Sequence, residues 1–291
     1  MDKYPGAIFI PNNRHETYPA IDPTKANLSG KVVVVTGASR GIGKAIALAV
    51  AQAGTKGLAL FARGSLDAVK AECLAAQRQG HPLEVLTAQV DVTNEAQVAA
   101  AAKQVEATFG RVDIVVNNAG YLEPYNFIAD TVSAEWWRGF EINVQGTYFV
   151  TRAFLPLLIK SDGDKTVVNV SSGGAFMFLP RYSAYALSKL AEIRFSEVLV
   201  AEYGAQGILS YAVHPGMNDT DMTKQLPPDV QAIVTYLDTP EFAANTLLWL
   251  IKERRDWLAG RYVDCNWDME ALEAKKQEIV EGDKLKLTLS I

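Results

Sequence analysis

The chain has 291 residues, 49% of them hydrophobic and 21% charged, with a formal net charge of −5. That is enough apolar content for one sizeable α/β domain, and it lacks the basic excess that marks a nucleic-acid binder. Cys73 and Cys265 lie too far apart for a metal-ligand spacing or a disulfide framework and read as buried thiols of a reducing compartment.

Residues 1–20 include Asp2, Pro5, Pro11, Arg14 and Glu16 without a long apolar run, which argues against a signal peptide. No stretch reaches the ~18 apolar residues of a membrane span. The expectation is a soluble, cytoplasmic protein whose partners are small molecules rather than nucleic acid, membrane or metal.

Prolines 5, 11, 19 and 23 and little periodicity suggest that residues 1–30 form an extended arm laid over the domain surface. His15 and Tyr18 on it are assigned no role. The run V-V-V-V-T-G-A-S-R-G-I-G-K-A-I-A over 32–47 then reads as a strand buried on both faces, a tight turn with Gly37, Gly41 and Gly43, and a helix. Glycines that admit φ > 0 and close backbone approach, followed by a helix N-terminus, suit the pyrophosphate of a dinucleotide.

Beyond it, strand-like segments at 57–62, 83–90, 112–116, 165–171, 207–213 and 260–264 alternate with helix-like segments starting near Gly41, Ser65, Asn94, Ala134, Tyr182 and Pro240. Such alternation predicts an α/β fold, a doubly wound parallel sheet of seven strands with helices on both faces. Ligands of such sheets collect beyond the carboxyl ends of the strands. Polar or glycine-rich residues stand there: Ala62-Arg63, Asp91-Val92, Asn117-Asn118-Ala119-Gly120, Ser171-Ser172-Gly173 and His214-Pro215-Gly216.

At the end of the second strand, where an acidic residue would bind the adenosine ribose, the chain has Ala62 and Arg63, and Arg40 stands inside the glycine loop. Two guanidiniums and no carboxylate favour a 2′-phosphate, hence NADP(H), unless the arginines are surface decoration. Asp91 can accept from the adenine amino group or cap the next helix. Tyr185 and Lys189, four residues apart in Y-A-L-S-K, project from one helix face, where a cation brings a phenol towards a working pKa. Ser172, thirteen residues earlier at a strand end, can bring a hydroxyl beside that phenol.

The T-G-x-x-x-G-x-G loop, Asn117 to Gly120, Asn143, Ser172, Tyr185-x-x-x-Lys189 and Pro215-Gly216-x-x-x-Thr220 together resemble the short-chain dehydrogenases/reductases over about residues 30–265. The resemblance implies a Rossmann fold and a catalytic tetrad. In it Tyr185 is the general acid or base, and Ser172 orients the substrate oxygen. Lys189 lowers the tyrosine pKa and holds the nicotinamide ribose, while Asn143 steadies a water linking Lys189 to solvent. It places the cofactor on Gly37, Ser39, Arg40, Gly41, Ile42, Gly43, Arg63, Asp91, Val92, Asn118, Ala119, Gly120, Tyr185, Lys189, Pro215, Gly216, Asn218 and Thr220, with Asn218 where the family often has Val or Ile. His214 is read as a structural neighbour of that loop.

The apolar loop after Ser172, with Phe176, Met177, Phe178 and Leu179, and the substrate segment 217–236 should read a hydrophobic, cyclic or aromatic ketone or alcohol, though subunit packing accounts for the loop equally well. Trp136 and Trp137 suit core or dimer burial. The long helices 134–159 and 182–203 resemble the family's dimer-forming pair, which implies a homodimer or homotetramer. The sequence thus divides into the arm, a domain over 31–266 and a helical C-terminal extension over 267–291; arm and extension together resemble reductases of fungal secondary metabolism. Non-redox chemistry on the same fold, or a dinucleotide-sensing module, are the rival readings, and an intact tetrad argues against both.

Overall fold

The computed structural model describes residues 9–10, 13–178, 180–231 and 237–289. Val32–Thr36 (β1) is buried at every position, as its run of β-branched side chains requires. Val33 and Val35 join one hydrophobic cluster and Val32 and Val34 the other, so the pleat of this strand divides the core into two layers. Six more strands follow: Gly57–Ala62 (β2), Glu84–Gln89 (β3), Ile114–Asn117 (β4), Thr166–Val170 (β5), Leu209–His214 (β6) and Arg261–Asp264 (β7). All pair in parallel, in the order β3-β2-β1-β4-β5-β6-β7, the doubly wound Rossmann sheet that the alternation predicts. The strand expected from 112 begins only at Ile114. Asp113 turns its carboxylate inward instead, accepting from the Val32 amide at 2.8 Å and from Arg111.

The helices are Gly41–Gln52 (α1), Asp67–Ala76 (α2), Glu95–Phe109 (α3), Ser133–Phe140 (α4), Thr147–Lys160 (α5), Ser183–Tyr203 (α6), Pro228–Gln231 (α7), Pro240–Ile251 (α8), Met269–Ala274 (α9) and Lys276–Glu281 (α10). α1 and α8 pack together over one face of the sheet, α3 and α5 over the other. The helix expected over 134–159 is not uniform. A turn of π-helix, Glu141–Gly146, joins α4 to α5. Gly146 lets this turn press against the segment that follows β3, since a Cβ there would stand 2.6 Å from Val92 Cγ2.

The arm does more than lie on the surface. Ile10, Ile21 and Leu28 are buried in the same cluster as Val33, and so are Trp267, Leu272 and Ile279 of the C-terminal extension. The two termini also bind each other. The Arg14 amide donates to Asn266 O at 2.6 Å, the Met269 amide donates to the Tyr18 hydroxyl at 2.6 Å, and His15 Nδ1 stands 2.7 Å from the buried carboxylate of Asp238. Isolated apolar residues among prolines have no period to reveal that they will be buried. Of the segments expected to read the substrate, Leu179 and residues 232–236 lie outside the described residues.

Candidate active site

β1 and β4 are sheet neighbours, yet the chain leaves β1 towards β2 and β3 before returning to β4. The strand order therefore reverses between them, and a crevice opens beyond their carboxyl ends. A cleft of about 550 Å³ lies there, lined by all the expected dinucleotide-loop residues and by Arg63, Asp91, Val92, Asn118, Ala119, Gly120 and Thr220. Gly37 and Gly41 have φ of +65° and +55°. Gly43 is required by space: a Cβ on it would collide with the Gly37 carbonyl oxygen and the Asn118 amide. Asn118 Nδ2 donates to Thr36 O at 3.0 Å, and the Asn118 and Ala119 amides both donate to the Thr36 hydroxyl, so β4 clamps the loop that follows β1.

Arg40 is an extended N-cap without a side-chain cap bond, and the first turn of α1 holds no acidic residue. The first-turn N–H groups and the positive end of the helix dipole therefore remain for an anion, which is the fit a dinucleotide pyrophosphate needs. Arg63 is exposed at the cleft edge, whereas the Arg40 guanidinium is 2.5 Å from Asp221 on the opposite rim. Asp91 accepts from the Thr93 amide and hydroxyl at 2.9 and 2.7 Å, the local turn that a helix start favours. Burial raises its pKa, but the Thr93 hydrogen bonds and the charges of Arg63 and Arg138 outweigh it and leave the carboxyl below its ordinary value.

On the other side of the crevice, β5 delivers Ser172 and α6 delivers Tyr185 and Lys189. A Cβ placed on Gly174 would lie 3.3 Å from Ser172 Oγ and 3.7 Å from Tyr185 Cε1, so hydroxyl and phenol ring share one small space. Lys189 Nζ is 5.8 Å from the Tyr185 ring centre. Gly120, in the cleft wall, brings the remaining member close: a Cβ there would be 3.6 Å from both Asn143 Oδ1 and Lys189 Nζ. Asn143 sits wholly buried in the π turn; its Oδ1 accepts from the Tyr121 amide at 2.8 Å and its Nδ2 donates to Tyr121 O and to Ser188 Oγ. Its carboxamide is thus engaged with protein.

Two carboxylates at this site escaped the sequence reading. Glu123, buried in the loop after β4, accepts from the amides of Ala184 and Tyr185 at 2.8 and 3.0 Å and caps α6, whose N-cap residue Tyr182 makes no side-chain cap. Glu192 holds the Lys189 ammonium at 3.0 Å with both oxygens. Its signal was present, a carboxylate three residues after a lysine on one helix face; Glu123 carries none, because loop closure alone brings it to the helix.

The Pro215–Thr220 loop is braced from within. Asn218 Nδ2 donates to Pro215 O at 2.7 Å and Gly216 O at 3.1 Å, a closure that Val or Ile could not make. Thr220 approaches the glycine loop, with its Cγ2 3.4 Å from the position of a Cβ on Gly41. Facing Tyr185 is an aromatic group: the Tyr182 ring lies 6.4 Å from that of Tyr185 and 4.7 Å from that of Tyr125, and Arg181 stacks over Tyr125 and Phe127. Phe176 turns away to meet Tyr262 edge-on, while Met177 and Phe178 are exposed.

The family model for short chain dehydrogenase matches residues 31–231, which include the glycine loop, Asn143, Ser172, Tyr185, Lys189 and the Pro-Gly loop. The chain belongs to the short chain dehydrogenase family. Among its relatives is short chain dehydrogenase mpl6 of Monascus purpureus, 48% identical over 98% of this chain and 97% of the relative, a fungal similarity that takes in both termini. Two solved structures extend the comparison. A 7 alpha-hydroxysteroid dehydrogenase complexed with NADH and 7-oxo glycochenodeoxycholic acid superposes with a TM-score of 0.73 at 25% identity, over 86% of this chain and 97% of that one. The alcohol dehydrogenase of the archaeon Thermococcus sibiricus, complexed with 5-hydroxy-NADP, does so with a TM-score of 0.70 at 28% identity, over 81% and 96%. The short chain dehydrogenase described here is accordingly an oxidoreductase.

Proposed function

We propose that the protein is an NADP(H)-dependent reductase that converts a hydrophobic cyclic or aromatic ketone to a secondary alcohol, of the kind used in fungal secondary metabolism. The observation that carries the reading is the meeting of Ser172, Tyr185 and Lys189 beside a cleft whose floor is an uncapped helix N-terminus. In the reducing direction the Tyr185 hydroxyl gives its proton to the carbonyl oxygen, which the Ser172 hydroxyl holds in place. Lys189 stabilises the phenolate left behind, and Asn143, locked to Tyr121 and Ser188, keeps the π turn against the ammonium. A bound nicotinamide would supply the hydride. Arg63, and Arg40 on exchange of its Asp221 partner, would hold the 2′-phosphate, while Tyr125, Tyr182 and Phe127 favour an aromatic guest.

A cytoplasmic setting and a homo-oligomer belong to the same reading. Trp137, Tyr148, Leu187 and Val198 leave large apolar side chains exposed along α4, α5 and α6. The test is titration of the purified protein with NADPH and NADH separately, followed by loss of reduced-nicotinamide absorbance against a panel of cyclic and aromatic ketones. Preferential NADPH binding with turnover of a panel member is the expected result. Preferential NADH binding would overturn the cofactor assignment, and tight binding without oxidation across the panel would move the function towards non-redox chemistry.

A further inference from the structure

Lys189 has three N–H donors, and all three are directed into the protein. One meets Val170 O at 2.8 Å and the others meet Glu192 Oε1 and Oε2 at 3.0 Å each. Glu192 is 2% exposed and Lys189 4% exposed, so neither charge is shared with solvent. Lys189 Nζ lies 5.8 Å from the Tyr185 ring centre, so the field that reaches this ring is that of an ion pair rather than of a free cation. A carboxylate that fully opposes the lysine would leave the tyrosine close to its ordinary proton affinity, and one removed or neutralised would leave the phenolate strongly favoured.

We propose that Glu192 is a positioning residue that sets the proton affinity of Tyr185 through Lys189, acting as a buried counter-charge. This rests on the reading of Tyr185 and Lys189 given under the proposed function. Burial pushes the Glu192 carboxyl up to about 7, with the Lys189 charge pulling the other way, so the counter-charge is itself switched near neutrality.

Other titratable groups stand on the elements packed around α6: Glu141 of the π turn is exposed to solvent, and those that follow are engaged elsewhere. Tyr211 on β6 bonds the Arg255 backbone, and His214 bears on Asp264 of β7. Arg261 of β7 pairs with Asp283, Glu135 and Arg138 of α4 converge on Tyr121, and Glu123 caps the helix. β5 contributes no ionisable side chain. On α6 itself Arg194 pairs with Glu197, and among the described residues Lys189 is the charge that acts on Glu192.

The experiment reads Tyr185 directly and needs no substrate. The tyrosinate absorbance of the protein is titrated against pH and that of Tyr185→Phe is subtracted, which isolates one phenol; the same pair is measured in the Glu192→Gln background. Gln keeps an oxygen for the ammonium while removing the charge. The expected result is a fall of about one pH unit in the Tyr185 midpoint. Glu192→Met, which removes the hydrogen bonds as well, provides the reading if the Gln variant folds poorly, with a fall again expected. A midpoint that is unchanged or higher in the folded variant would overturn the proposal, because a carboxylate that served only to pack the lysine would produce that outcome. Turnover by Tyr185→Phe bears on the proposed function alone, so the two can fail separately.

Discussion

At Tyr185 the hydroxyl is the only part that Tyr185→Phe removes, and the ring keeps its place beside Tyr182. Turnover is expected to vanish while NADPH binding stays within about twofold of wild type, an order-of-magnitude allowance for a residue outside the phosphate cradle. Retained turnover in a coupled assay would remove Tyr185 from the mechanism. Arg63 makes a separate claim. It lies exposed at the edge of the cleft, so on the proposed reading Arg63→Asp should weaken NADPH by about tenfold or more while leaving NADH within a few-fold, as expected when a charge-assisted phosphate contact becomes a repulsion. Fluorescence titration with both nucleotides decides it, and equal losses would mean that the phosphate is read elsewhere. Asp221, already on Arg40, is the residue that would compete.

The element on which the proposed chemistry depends is α6. Its first turn supplies Tyr185, and the free amides there are taken up by Glu123 from a different part of the chain rather than by a local Ser, Thr or Asp. Glu123→Ala should therefore cost about 1–2 kcal/mol, or about 2–4 °C in Tm for a chain of this size, and reduce kcat as well, since one of the two freed amides is that of Tyr185. Calorimetry with steady-state kinetics tests both halves. A loss of stability without any change in kcat would show that the first turn of α6 holds Tyr185 without this carboxylate. The π turn between α4 and α5 plays a comparable part for Asn143: its wider winding and Gly146 carry the buried carboxamide to Tyr121 and Ser188.

For the whole molecule one part of the pH dependence of folding follows from burying Glu192. Its carboxyl is raised from 4.5 to about 7 in the fold, so the folded state holds a proton that the unfolded chain has released. The stability this provides is complete below about pH 4.5, is lost as pH rises to about 7 and is flat above. Urea denaturation of wild type and Glu192→Gln at pH 5 and pH 8 should show the variant gaining by about 2–3 kcal/mol in relative stability at the higher pH. A difference between the two proteins that does not change with pH would mean that Glu192 is ionised throughout.

Much of this was legible before folding because it depends on local order. Four valines in a row, glycines at 37, 41 and 43, and a tyrosine and lysine four apart are all short-range patterns, and each specifies a backbone shape or a helix face on its own. The parallel sheet and its crevice follow from them, and so does the proposal that Asn143, Ser172, Tyr185 and Lys189 act together. What the tertiary structure alone decided are the partners from distant parts of the chain. Glu123 reaches α6 and Asp221 reaches Arg40 only through loop closure, and Ile10, Ile21 and Leu28 enter the core beside Trp267 without any periodic pattern of their own. Glu192 lies between these cases. Its spacing to Lys189 was visible, but whether that pair was a solvated surface ion pair or a buried one depended on how α6 packs in the fold, and burial is a property of the assembled layers.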